Sequence, residues 1–248
     1  MKKIIAMALI AILTLTGMAL AETLKMGTNA AFPPYEYYDD ETDAIVGIDA
    51  EIAAAVCAKL GCDLEIVDMD FSSIIAAVTT GKVDFGMAGM TVTEERLQSV
   101  DFSDSYATGI QSVIVPEGSP ITCVDDLFAE GSSWKVGVQE GTTGDIYCSG
   151  DLEDAGLAKV ERFKTGTDAV LALTSGKLDC VVIDNQPALK FVEANEGLAI
   201  LDTEYAVEDY AACLAKGSEL TAKFNEALQA LIADDTVQGI IDKYISAD

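Results

Sequence analysis

The chain has 248 residues, with 42 acids against 15 Lys and Arg, no histidine, and a net charge of −27. So negative a protein is repelled by phosphate backbones and anionic lipid, which argues against nucleic-acid and membrane-surface partners. Without histidine, Ser–His–Asp and Cys–His catalysis are excluded, a zinc site is not expected, and no motif asks for a cofactor.

Lys2 and Lys3 open the chain, an apolar run extends from Ile4 to Leu15, and Ala19-Leu20-Ala21 forms a small-x-small pattern. Basic, apolar and cleavage regions in that order predict a secretory signal over residues 1–21, with a periplasmic (extracytoplasmic) mature chain starting at Glu22. Thr14, Thr16 and Gly17 interrupt the run and speak against a membrane anchor. An exported chain meets oxidising conditions, so Cys57, Cys62, Cys123, Cys148, Cys180 and Cys213 could pair or could stay as buried thiols.

In chain order, Leu24 to Thr28 reads as a strand and Ile48 to Leu60 as an alanine-rich helix stopped by Gly61. Leu64 to Val67 reads as a strand, Ser72 to Thr80 as a helix and Val83 to Ala88 as a strand, and the alternation resumes from Lys135. This order predicts an α/β fold with mostly parallel sheet. A faint repeat runs through it. Leu24-Lys-Met-Gly-Thr-Asn29 is echoed by Trp134-Lys-Val-Gly-Val-Gln139, and Ala77-Val-Thr-Thr-Gly-Lys-Val-Asp84 by Ala172-Leu-Thr-Ser-Gly-Lys-Leu-Asp179. Two echoes in the same order predict two similar lobes, with a cleft at the carboxyl ends of their strands. Asn29, Gly89-Met90-Thr91, Gln139 and Asp184 fall at such ends.

Arg96 is one of only two arginines. Thr93 is placed to cap a helix there, so free N–H groups and a guanidinium fork could hold a carboxylate. An ion pair with Asp101 or Asp104 is the equal alternative. Gly141-Thr142-Thr143-Gly144 precedes another apparent helix and could grip the same carboxylate. Asp184, after the apolar run Cys180 to Ile183, could take an ammonium group or cap a helix. Phe32 and Phe71 could sandwich an aliphatic side chain or belong to the core.

Several stretches carry a resemblance: Gly27-Thr-Asn-Ala-Ala-Phe-Pro-Pro-Tyr-Glu-Tyr37, Val46-Gly-Ile-Asp-Ala-Glu-Ile52, Met69-Asp-Phe71, Ala88-Gly-Met-Thr-Val-Thr-Glu-Glu-Arg96, Asp101-Phe-Ser-Asp104 and Val138-Gln-Glu-Gly-Thr-Thr143. With them the mature chain resembles the polar-amino-acid-binding proteins of bacterial ABC importers, departing from the usual pattern at Ile48 and Ala50. The resemblance implies a two-lobed type II periplasmic-binding fold with the ligand in the interlobe cleft and two hinge crossings, 106–110 and 206–210. Residues 22–105 plus 211–248 would form the first lobe and 111–205 the second. It also implies roles: Arg96 clamps the ligand α-carboxylate with backbone at Thr91 and Thr143, and Asp184 takes the α-ammonium. Phe32 and Phe71 would flank the side chain, and Asn29 and Gln139 would face its tip. Two neutral amides there suit a neutral polar side chain, since an arginine or lysine would want an acid. The expected partners are one free amino acid and the permease subunits of an importer, with the protein itself a monomer. The alternative is a dehydratase on the same fold acting on a cyclic amino or keto acid. Glu140 is the nearest candidate acid for it, although its place beside the proposed carboxylate grip makes it solvent-facing.

Overall fold

A computed structural model describes residues 22–245. The expected leader lies outside them. In chain order the elements are β1 (Thr23–Thr28), β2 (Ala31–Phe32), β3 (Glu36–Tyr38), β4 (Ile45–Val46), α1 (Ile48–Leu60), β5 (Asp63–Asp68), α2 (Ile74–Thr79), β6 (Phe85–Gly86), β7 (Val100–Phe102) and β8 (Ala107–Pro116). There follow β9 (Trp134–Gln139), α3 (Thr143–Tyr147), β10 (Ala158–Phe163), α4 (Gly166–Thr174), β11 (Cys180–Asp184), α5 (Asn185–Ala194), β12 (Leu198–Ile200), β13 (Ala206–Tyr210), β14 (Cys213–Ala215), α6 (Glu219–Ala233) and α7 (Thr236–Tyr244).

Two main sheets result. One has the order β5-β1-β6-β14-β7; the other runs β10-β9-β11-β8-β12, with β13 also paired to β8. Each is mixed rather than mostly parallel. The parallel trios β5-β1-β6 and β10-β9-β11 are flanked by antiparallel β14 and β8. The internal repeat has a structural cause in these trios. Lys25 N donates to Asp84 Oδ2 at 2.7 Å and Asp84 N to Lys25 O at 2.8 Å. Lys135 and Asp179 repeat both contacts at 2.8 and 2.9 Å. The echoed Gly-Lys-x-Asp thus closes a helix and starts a strand in register twice.

Helix α1 ends where expected, because Gly61 takes the left-handed conformation (φ 74°) and its N–H reaches the Ala58 carbonyl. It buries Ile48, Ile52, Ala53 and Val56, which share a core with Phe85, Phe224 and Leu228. Helix α6 supplies Phe224, Ala227, Leu228 and Leu231 at helical spacing to that core. Val113, Val136, Val138, Val160, Cys180 and Val182 build a separate core in the second sheet. All six cysteines are unbonded, four of them buried.

Three local expectations shorten. The helix foreseen over 72–80 divides into a 3-10 turn, Phe71–Ser73, and α2. The strand foreseen over 83–88 narrows to Phe85 and Gly86, with Asp84 N and Met87 N still bonded to β1 carbonyls. The helix foreseen after Thr93 is a single 3-10 turn, Arg96–Gln98, with Thr93 Oγ1 accepting from Arg96 N at 3.1 Å. Between the sheets the chain crosses twice, into β8 and out of β13. These crossings lie side by side, in antiparallel register from Ala206↔Gln111 to Tyr210↔Ala107. No helix among the described residues is long and apolar enough to cross a membrane.

Candidate functional site

The carboxyl ends of β1, β6, β9 and β11 converge between the sheets on a narrow cavity. Asn29, Phe32, Glu36, Phe71, Ala88, Gly89, Thr91 and Arg96 line it from the first sheet's side, and Gln139, Thr142, Thr143 and Asp184 from the second's. Sequence reasoning named ten of these twelve. It also named Met90, whose side chain is 1% exposed and packs in a core with Phe71 and Ile74 instead. That is a correction: Gly89 bends the chain at φ 53°, and Met90 turns inward while its neighbours line the cavity.

Arg96 is buried, and among the described residues no carboxylate lies within ion-pair distance of it. Its Nη1 donates to Thr91 O at 2.7 Å, its Nη2 to Gly141 O at 3.0 Å, and the guanidinium lies 5.4 Å from the centre of the Phe71 ring. Asp101 pairs with Lys216, and Asp104 accepts from Gln229, so neither is its partner. Burial lowers the guanidinium pKa, and the Glu208 charge opposes that shift. The site therefore holds a desolvated cation whose ordinary counter-ion is a carboxylate.

Asp184 follows four apolar residues of a strand buried along its whole length. Its Oδ2 accepts from Gln111 Nε2 at 2.8 Å, while Oδ1 is buried without a partner. It stands at the start of α5 yet makes no capping bond. Burial first, then the neighbouring Glu208 charge, push its carboxyl up to about 8.

Gln139 Nε2 donates to Asn29 Oδ1 at 2.8 Å and to Lys164 O at 3.2 Å, and Asn29 Nδ2 donates to Met69 O at 2.9 Å. One bond thus joins the two amides across the cleft. Thr142 caps α3, accepting from Asp145 N at 3.4 Å. Gly89 N donates to Asp49 Oδ2 at 2.8 Å, and a Cβ on Gly89 would lie 3.1 Å from the Phe32 ring. Glu140 is half-exposed and paired with Lys164 at 2.8 Å.

Besides Ala88, three residues escaped the sequence. Glu36 is wholly buried on the cavity wall, where no N–H or hydroxyl reaches it and its neighbour is the Asp49 carboxyl, within hydrogen-bonding reach. Burial, then the Asp49 charge, hold it well above the ordinary range. An acid between tyrosines at a strand start was its only signal. Gln111 and Glu208 stand behind the cavity: Glu208 Oε2 accepts from Thr91 Oγ1 (3.0 Å), Thr143 Oγ1 (2.9 Å) and Gln111 Nε2 (3.1 Å). Glu36, Asp49, Asp184 and Glu208 are all buried, and the charges of Glu208 and Asp184 act on Arg96.

The family described as bacterial extracellular solute-binding proteins, family 3, matches residues 24–247. The L-arginine-binding protein of Pseudomonas aeruginosa is 32% identical, across 100% of this chain and 98% of that protein. A solved ancestral arginine-binding protein bound to arginine superposes with a TM-score of 0.85 at 39% identity, over 92% of this chain and 100% of that one. Another, bound to glutamine, gives 0.83 at 39% identity over 91% and 98%. The two-lobed architecture of such proteins is the one found here.

Proposed function

Because the chain belongs to family 3 of the bacterial extracellular solute-binding proteins, we propose that it captures a free amino acid in the interlobe cleft and delivers it to an ABC importer. One observation carries the reading. A buried guanidinium without a carboxylate and a buried aspartate oxygen without a donor face the same cavity. An α-carboxylate and an α-ammonium answer both needs at once, and each would be strongly held because water is already excluded. The working form is an exported monomer. Its relatives are binding proteins, and the chain is one too, not an enzyme.

The side chain we assign is cationic, arginine before lysine. The amides that favoured a neutral ligand are occupied with each other, and Glu36 supplies the acid they lack. A guanidinium brought beside Glu36 would give that buried acid a cationic partner. The names of the relatives point the same way.

Competition calorimetry with arginine, lysine, glutamine and glutamate tests both levels. Arginine should bind tightest, and Glu36→Gln should weaken it by about 3–5 kcal/mol, while glutamine loses less than about tenfold. Tighter binding of glutamine than arginine by the parent protein would sink the cationic assignment. If no amino acid raises the unfolding midpoint at millimolar concentration, amino-acid capture itself falls; saturation should raise it roughly 5–10 °C.

A further inference from the structure

Glu208 lies on β13, outside the cavity lining, and is 6% exposed. A single oxygen, Oε2, collects hydroxyl protons from Thr91 on one side of the cleft and Thr143 on the other, plus one N–H of Gln111. Gln111 Nε2 also donates to Asp184 Oδ2, so the five side chains form one cluster. Thr91, Thr143 and Asp184 all line the cavity.

A hydroxyl has one proton and two lone pairs. With both protons committed to Glu208, Thr91 Oγ1 and Thr143 Oγ1 have only lone pairs left for a ligand. They can accept from an ammonium and cannot donate to a carboxylate. Resting on the amino-acid reading above, we infer that Glu208 is a positioning residue: it turns the Thr91 and Thr143 hydroxyls into acceptors and so, with Asp184, fixes which end of the cleft receives the α-ammonium. An ammonium carries three donors, and this cluster offers it Asp184 Oδ1 and the two hydroxyl oxygens. The arrangement also assigns the α-carboxylate to Arg96 and backbone N–H groups, because no free hydroxyl proton remains at Thr91 or Thr143.

A double-mutant cycle on arginine binding tests the assignment. Thr91→Val and Glu208→Ala should each weaken arginine at least about tenfold. Their combination should stay within about threefold of the poorer single variant, since Glu208 acts through that hydroxyl. Glu208→Gln keeps an acceptor oxygen for both threonines, so it should bind within about tenfold of the parent and serves if the alanine variant does not fold. Agmatine, which keeps the ammonium, should follow arginine; 5-guanidinopentanoate, which lacks it, should bind all variants alike. Multiplicative losses in the cycle, equal loss of 5-guanidinopentanoate, or a Glu208→Gln protein as poor as an alanine variant would each overturn the role. Failure of the parent protein to bind arginine or any other amino acid would instead remove the reading beneath it.

Discussion

Gln139 and Asn29, which stand at equivalent strand ends of the two sheets, are hydrogen-bonded to each other at 2.8 Å, and the bond closes the cleft from within. A buried amide–amide bond contributes about 0.5–1.5 kcal/mol, and stranding either partner costs about 1–3 kcal/mol. Gln139→Ala should therefore weaken every ligand by roughly tenfold without reordering them. Calorimetry on arginine, lysine and glutamine checks this. A changed order would mean that the amides read the side chain after all.

Arg96→Ala removes the cation and leaves a ligand carboxylate buried alone, an imbalance worth about 3–5 kcal/mol. Arginine affinity should drop at least about hundredfold, while the unfolding midpoint of the ligand-free protein holds or rises, because a desolvated charge has gone. Arg96→Lys should recover only part, lacking the planar fork that spans Thr91 O and Gly141 O. Near-parental affinity in the alanine variant would make Arg96 a purely structural tie.

Protons should leave the protein when the ligand enters. Asp184, pushed up to about 8, carries a proton in the ligand-free protein at neutral pH, and burial raises Glu36 as well. An ammonium and a guanidinium favour their ionised forms, so affinity should increase with pH, by up to about tenfold per unit for each proton released, and level off above about 8 for Asp184. Stability of the ligand-free protein has the opposite slope. Below about pH 4 the Asp184 site is protonated in both states. Between there and about 8 the unfolded chain ionises while the folded one keeps its proton, and stability is lost. Calorimetry at pH 6–7 in buffers of different ionisation enthalpy measures the release, and its absence in the parent protein would refute the linkage.

The crossing strands have little room. A Cβ on Gly109 would fall 2.1 Å from Tyr210 Oη, on a fully buried ring that packs edge-on against Tyr35 at 5.3 Å. Gly109→Ala should cost about 1–3 kcal/mol by overpacking, a fall of roughly 3–10 °C in midpoint. Tyr210→Phe should be neutral or stabilising, because the Tyr210 hydroxyl is buried without a partner. Calorimetric scans of the two variants check both signs.

What the sequence made legible was local. Helix α1 could be read from its alanines and Gly61, and the cleft from polar residues placed after apolar strands. Even the Lys-Asp repeat marked a real pair of contacts. All the misses but Met90 depend on residues distant in sequence. Glu36 matters because of Asp49 and the cavity, Glu208 because of Thr91 and Thr143, and the amides changed meaning because Asn29 and Gln139, 110 positions apart, meet. Met90 was misplaced by one step of backbone, where a positive φ at Gly89 decides which side chain turns inward.

The stacking of Arg96 on Phe71 and its bond to Thr91 O come from its own side of the cleft. A free arginine side chain carries about 2 kcal/mol of rotamer entropy. Here most of that freedom is surrendered when the chain folds, before any ligand arrives. Its loss is charged to the stability of the empty protein, and binding need immobilise only the ligand and the closing strands. In the role proposed for it, Arg96 is thus a store of order, filled once at folding and drawn on whenever a ligand binds.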